Sequence, residues 1–308
     1  MQIDIIPSDT AGLELSAEFF PPKTEKAARS ARAASEALRR FGLTFCSVTY
    51  GAGGSNQTGT LDTAIDLAEG AGSEPAAHLT AVGAARETVD AVAQGFWQAG
   101  IRRIVALRGD PQGNGGRYQA HPQGYANAAA LTEGLRRLHE FDISVAAYPE
   151  KHPESPSVDA DIDNLKAKFD AGADRAITQF FFDPEIYLRF RDRLAARGVW
   201  RSVVPGILPI RNLEQVQKFA AACEATIPET VLARFERCTS DADRRNVAID
   251  QAHALCERLM RHGVRDFHFY TLNKADMTAA ILDRLIGSAD ADRAMTAAAA
   301  MAARPAEA

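Results

Sequence analysis

Strand-like apolar runs and amphipathic helical runs alternate eight times along this chain, and that order admits few folds. The first run, residues 13–20, sets Leu13, Leu15, Ala17 and Phe19 against Glu14, Ser16, Glu18 and Phe20, the two-residue period of a strand. Pro21 and Pro22 stop it, because proline has no N–H to give to a ladder. A helix is predicted over about 26–41, where Ala27, Ala31, Ala34, Leu38 and Phe41 recur at spacings of four and three. Further strands are predicted at 44–50, 76–80, 102–107, 142–148, 175–182, 202–210 and 266–272. Helices are predicted between them near 58–70, 86–99 and 125–140, and from about Asp159. Others run from Pro184 behind the cap Asp183, after the cap Asn212, over 241–262, and through Met277, Ile281 and Leu285.

Alternating strands and helices make a parallel sheet. Eight units in series without a linker make an α/β protein of the (β/α)8 TIM-barrel class, a single domain over residues 1–288. An open doubly wound sheet is the alternative. It expects fingerprint glycines after the first strand, where this chain has Pro21 and Pro22. Residues 289–308, rich in alanine, are expected to form a frayed tail.

Bulk properties narrow the partners. The net charge is −5, the pI about 5.8, and no basic tract points to nucleic acid or a membrane surface. No apolar run approaches the ~20 residues of a membrane helix, and the N-terminus lacks a signal-peptide pattern. Cys46, Cys223, Cys238 and Cys256 form no C-x-x-C pair and have no histidine at ligand spacing. Neither a disulfide framework nor a structural zinc site is expected, and a reduced, cytoplasmic location follows.

Chemistry in such a barrel gathers at the C-terminal ends of the strands. Those ends read Glu18, Thr49-Tyr50, His78 to Thr80, Arg108-Gly109-Asp110, Tyr148-Pro149-Glu150, Gln179 and Tyr270. Seven of the eight strands thus end in groups that hydrogen-bond or stack, where chance would scatter such groups over both ends. Glu18 therefore reads as a site acid. Its plain alternative, an edge-strand carboxylate facing water, needs an edge that a closed barrel lacks. The set contains no Cys/His cluster for a metal, no strand lysine for a Schiff base and no Ser-His-Asp constellation. What remains can hold a large flat ligand with phosphates and supply one acid. The run "RGDPQGNGG" (108–116) can approach phosphates closely, although glycines alone specify little. His152 and Lys168 stand either to meet those phosphates or on the surface.

The blocks "AEFFPPK", "SVTYGAGG", "HLT", "IVALRGD", "AAYPEKHPES", "RAITQFFFD", "VPGILPI" and "FHFYTLNKA" resemble, in this order, the signature of the methylenetetrahydrofolate reductases. The length is similar to that of the bacterial form, a catalytic barrel without the regulatory domain of the eukaryotic enzymes. The resemblance implies FAD as cofactor. FAD takes hydride from NADH or NADPH and passes it to 5,10-methylenetetrahydrofolate, giving 5-methyltetrahydrofolate for one-carbon and methionine metabolism. The reaction would be reversible and ping-pong. A homo-oligomer is expected.

The resemblance also implies residue roles. Glu18 would be the general acid that opens the folate's five-membered ring to an iminium ion, with a pKa raised enough to keep its proton. Asp110, the second catalytic residue, would contact both pterin and flavin. Cofactor binding would fall to Thr49, Tyr50, Ala52, His78, Leu107, Arg108, Gly109, Asp110, Ala126, Tyr148, His152, Asp161, Asn164 and Lys168. Asp161, Asn164 and Lys168 share one helical face. Folate and nicotinamide would meet Gln179 in turn, and Gln215, Phe219, Tyr270 and Lys274 complete the substrate side with Glu18 and Asp110. Phe219 stands either against the folate's aminobenzoate ring or in helix packing. Three departures bear on affinity. "SNQTGT" follows "GAGG" where the family often has D-R-T, and Ala167 replaces an arginine that faces phosphate in some members. Lys274 replaces an arginine, keeping the charge without the bidentate fork. Two rival readings are another FAD-dependent TIM-barrel oxidoreductase, akin to proline dehydrogenase, and a flavin-free folate-binding methyltransferase barrel. The second would need a cobalamin domain or a thiolate zinc site, and the sequence has neither.

Overall fold

In strand β1 (Glu14–Phe19) the two-residue alternation sends side chains to two places. Leu15, Ala17 and Phe19 are buried in the layer that also holds Ala31 and Leu38 of helix α1 (Glu25–Leu38). Ser16 and Glu18 point the other way, into the lumen of a ring of strands. The structure, a computed structural model, describes residues 12–50, 57–110 and 118–287. Ala52 and the tail expected from 289 onward lie outside them.

The chain continues through β2 (Phe45–Val48), α2 (Gln57–Ala71), β3 (Glu74–Thr80), α3 (Arg86–Gln98), β4 (Arg103–Leu107) and α4 (Ala128–Leu138). Next come β5 (Asp142–Ala147), α5 (Val158–Asp170), β6 (Arg175–Thr178), α6 (Pro184–Ala196), β7 (Ser202–Val204) and β8 (Gly206–Ile207). The helices α7 (Leu213–Cys223), α8 (Glu229–Glu236) and α9 (Asp241–Arg261) lead to β9 (Asp266–Tyr270), and α10 covers 276–287. Local chemistry sets the ends. Thr24 accepts from the Ala27 N–H, Asp183 precedes Pro184 as predicted, and Ser240 and Asp243 form a capping box.

The strand order is β7-β6-β5-β4-β3-β2-β1-β9-β8, and every pair is parallel. β7 and β8 are consecutive pieces of one run. β7 pairs with β6 and β8 with β9, so this run closes the ring. The result is the expected single-domain (β/α)8 barrel. Register partners step from Glu18 through Ser47, Ala76 and Arg103 to Asp142, the stagger that closure requires.

Four expectations need correction. The strand expected at 175–182 ends at Thr178, and Phe180, Phe181 and Phe182 leave the sheet and are buried. The strand expected at 202–210 divides at Pro205, which has no N–H for the ladder. The helix expected at 125–140 begins at Ala128, because Asn127 caps it by accepting from Ala130. Helix α8 was not expected; its signal is Val231 and Phe235, four apart and both buried.

The lumen is layered. At the base, the first residues of seven strands are polar: Glu14, Glu74, Arg103, Asp142, Arg175, Ser202 and Asp266. Polar residues are therefore not confined to the C-terminal ends, as the sequence suggested. The base groups pair among themselves: Arg103 lies 2.5 Å from both Glu74 and Asp142, and Arg175 also bonds Asp142. Above them Phe45, Ala76, Val105, Ile177 and Val204 form an apolar layer. At the mouth, polar groups line open cavities.

Closure depends on Gly206. A β-carbon there would lie 2.2 Å from the Thr178 carbonyl oxygen and 2.5 Å from the Tyr270 ring. Gly206→Ala is expected to destabilise the fold by about 1–3 kcal/mol, the usual cost of overpacking. A lower urea midpoint at unchanged slope checks this.

Candidate active site

Glu18 lies beside two imidazoles. Its Oε2 is 3.4 Å from His78 Nε2 and 3.9 Å from His268 Nε2. Both rings are buried, whereas the Glu18 side chain keeps 22% of its exposure and opens upward. His268 Nδ1 is 2.8 Å from the Ser16 hydroxyl, and its Nε2 has no hydrogen-bond partner. His78 Nε2 is 3.3 Å from the Ser47 hydroxyl. Burial holds the His78 pKa below its ordinary value, against the opposing pull of Glu18. Tyr270, the register partner of Glu18, donates to the Thr178 carbonyl at 2.7 Å. Burial, and then the charge of Glu18, push its phenol up.

Two cavities meet above these groups. The first, about 400 Å³, has Glu18, His78, Thr80, Tyr270 and Gln179 in its lining. Apolar groups complete it, among them Phe20, Phe180, Leu208, Phe219 and Leu272. The second, about 390 Å³, has Arg108, His152, Glu154, Asp161, Asn164 and Lys168. Leu107, Gly109, Asp110, Ala146 and Tyr148 line both. Gly109 makes the junction possible: its φ is +82°, and a β-carbon would come within 2.4 Å of Val82. The first chamber is largely apolar around Glu18, and the second is polar, with Arg108 and Lys168 set among Asp110, Glu154 and Asp161. Together they suit an elongated ligand with a flat end and an anionic part.

The second chamber is held by its own hydrogen bonds. Asp161 Oδ2 accepts from the His152 N–H at 2.8 Å, and the Glu154 N–H donates to His152 Nδ1 at 3.0 Å. Neutral His152 therefore carries its proton on Nε2. Burial and then Arg108 keep its pKa low. Arg108 sits 2.5 Å from Glu154 and 4.5 Å above the Tyr118 ring. Lys168 is buried, not on the surface, and donates to the Ala146 carbonyl at 2.8 Å. The Tyr148 phenol is pushed up by burial and then by Asp110.

Most expected residues converge here. Thr49, Tyr50, His78, Gln179, Phe219 and Tyr270 line the first chamber. Asp161, Asn164 and Lys168 project from one face of α5 into the second. Phe219 also packs against the core, as its helix-packing reading expected. Ala126, Ala167, Gln215 and Lys274 are exposed and outside both linings. The neighbours of Ala126, Asn127 and Ala128, are in the second. His268 and Glu154 were missed. Alternation in "DFHFY" puts His268 on the same side as Tyr270, and that signal was available. Gln179 is fixed at both ends: its Oε1 accepts from the Phe180 N–H at 3.0 Å, and its Nε2 donates to Cys223 Sγ at 3.3 Å.

Lys168 makes a measurable demand on stability. Burial lowers its pKa from 10.5 to about 8, although Asp161 works the other way. The unfolded chain keeps this proton to higher pH than the folded one, so stability should rise between pH 8 and 10.5. Lys168→Met is expected to stabilise the ligand-free protein at pH 7 by roughly 1–3 kcal/mol and to flatten that rise. Urea unfolding at several pH values is the check. No gain at pH 7 would mean that the lysine is not penalised by burial.

Comparison with known proteins agrees with this geometry. Residues 5–286 match the sequence model of the family described as methylenetetrahydrofolate reductase. The chain is 45% identical over 274 residues to the 5,10-methylenetetrahydrofolate reductase of Pectobacterium carotovorum subsp. carotovorum, covering 89% of this chain and 90% of that one. It is 43% identical over 279 residues to the protein of the same name from Escherichia coli (strain K12), with coverage of 89% and 90%. Among solved structures it is similar to an uncharacterized protein from Clostridium thermocellum that binds two copies of 5-methyl-5,6,7,8-tetrahydrofolic acid. The TM-score is 0.56 at 12% identity, over 90% of this chain and 96% of that one, a likeness of fold alone. A family match over nearly the whole length, with relatives at this identity and coverage, makes the chain a member of the methylenetetrahydrofolate reductase family.

Proposed function

We propose that the protein reduces 5,10-methylenetetrahydrofolate to 5-methyltetrahydrofolate, with FAD as cofactor and NADH or NADPH as hydride donor. The observation that carries this reading is the Glu18 carboxyl at the floor of a largely apolar chamber joined to a polar one that holds Arg108 and Lys168. FAD fits the pair: Arg108, His152 and Lys168 offer more than a single phosphate needs, which favours FAD over FMN. Tyr148, Leu107 and Gly109 stand at the junction, where the flat ring system would lie. Bound there, FAD would supply hydride transfer from nicotinamide to folate.

The chain's own residues supply the rest. The methylene carbon is locked between two folate nitrogens and cannot accept hydride until one bond breaks. The Glu18 carboxyl gives its proton to the leaving nitrogen; the carbon–nitrogen bond opens, and an iminium ion forms on the other nitrogen. The carboxylate left behind faces His78 and His268, which can steady it until a proton returns from solvent. Asp110, on the shared wall, lies where it can orient the pterin and keep negative charge near the cofactor. Gln179, already oriented by Phe180 and Cys223, would serve folate and nicotinamide in turn, hence a ping-pong order. The overall reaction can run either way, according to supply.

Glu18→Gln separates the two half-reactions. Reduction by nicotinamide needs no proton from Glu18 and is expected to stay within roughly tenfold of wild type, about 1.4 kcal/mol in barrier. Reoxidation by methylenetetrahydrofolate should fall by about a hundredfold or more, the range of general acid catalysis. Stopped-flow absorbance resolves the two steps. Equal losses would assign Glu18 to structure or cofactor binding, and an intact folate step would mean that another group supplies the proton.

A further inference from the structure

β1 ends beside a turn of unusual backbone. The Lys274 N–H donates to the Thr271 carbonyl at 3.0 Å, and both residues between them are left-handed, Leu272 at φ +49° and Asn273 at φ +58°. This is the pattern of a type I′ turn, which asparagine tolerates and leucine resists. Leu272 lines the first cavity. Strain of this kind persists only where surrounding bonds over-determine it.

Those bonds come from β1. Phe20 is the last residue before Pro21 and Pro22, so the strand cannot continue and its final peptide groups need partners. The buried Asn273 side chain provides them: its Oδ1 accepts from the Phe20 N–H and its Nδ2 donates to the Phe20 carbonyl, both at 2.9 Å. One amide thus replaces the N–H and C=O of a neighbouring strand. One step earlier, the Glu18 carbonyl accepts from both the Thr271 hydroxyl at 2.7 Å and the Thr271 N–H at 3.2 Å. The Thr271 hydroxyl also accepts from the Asn273 N–H at 3.1 Å, tying the two clamps together. Among the standard side chains of this length, only asparagine both accepts and donates in this way while favouring the left-handed region.

We propose that Asn273, with Thr271, is a positioning residue for the acid: it fixes the backbone from Glu18 to Phe20 and so sets the Glu18 carboxyl at the floor of the cavity. This rests on the reading of Glu18 as the proton donor. Losing the clamp lets β1's end and the turn relax together. The proton would then be delivered from a displaced carboxyl, while the second chamber, on the far side of the mouth, stays intact.

The test uses the flavin-loaded enzyme and three variants. Asn273→Ala removes both bonds, Asn273→Gly removes them but keeps the left-handed backbone free of strain, and Thr271→Val removes only the hydroxyl. Reoxidation by methylenetetrahydrofolate is expected to fall about tenfold or more in both Asn273 variants and less in Thr271→Val, with reduction by nicotinamide within about threefold. Binding of 5-methyltetrahydrofolate, followed by equilibrium dialysis, should change by less than about fivefold, since the clamp places the acid and not the ligand. In the Glu18→Gln background, Asn273→Gly should cost less than about twofold, because the group it places is already gone. Additive losses in that double variant, equal losses in both half-reactions, or full folate-step activity in Asn273→Gly would each overturn the proposal. A wild-type enzyme whose flavin is not reoxidised by methylenetetrahydrofolate would instead overturn the proposed function, and this inference with it.

Discussion

A parallel sheet becomes a barrel only if its last strand meets its first, and here the meeting falls on a proline. Pro205 cannot extend a ladder, so a single run splits and pairs with β6 on one side and β9 on the other. Side chains hold the seam. The Thr178 hydroxyl takes the Gly206 N–H at 2.9 Å, and the Tyr270 hydroxyl donates to the Thr178 carbonyl at 2.7 Å. These same elements build the mouth, since Gln179 follows Thr178 and Tyr270 is paired in register with Glu18. Closing the ring is therefore what brings the acid, the amide and the phenol around one opening.

The lumen then separates charge by height. Base groups neutralise one another in short ion pairs, and an apolar layer around Phe45 and Val105 isolates them from the mouth. At the mouth the polar groups line the two cavities. Among the described residues, the Glu18 carboxyl has the imidazoles of His78 and His268 at 3.4 and 3.9 Å. Lys168 is buried, and its pKa is pulled down to about 8. Partly satisfied polar groups in a desolvated cleft are costly to keep, and functional sites are where such groups collect.

Much of this was legible in the sequence. Period-two and period-four patterns, with caps such as Asp183-Pro184 and Asn212, marked the strand–helix order, and that order implied the barrel. The cavity-lining residues on strands were legible too, because strand ends in a barrel face a common opening; Glu18, His78 and Tyr270 are examples. What pattern reading missed was tertiary. The break at Pro205 could be read only once neighbours on both sides were known, since a proline at an edge would not matter. That the polar strand starts pair across the base could be read only once Arg103 was seen between Glu74 and Asp142. The burial of Lys168 depends on how α5 lies against β5, where its amine meets the Ala146 carbonyl. Ala126, Gln215 and Lys274, assigned by resemblance, are exposed and line neither cavity.

The central claim is that this mouth delivers a proton to a folate nitrogen and a hydride to the methylene carbon that nitrogen releases. A single turnover without nicotinamide tests it most directly. The purified protein, supplied with FAD, is reduced anaerobically with dithionite and mixed with 5,10-methylenetetrahydrofolate. The account predicts that the oxidised flavin spectrum returns and that 5-methyltetrahydrofolate forms in amounts matching the flavin. A flavin that stays reduced, or a protein that purifies without flavin and takes none up, would contradict it.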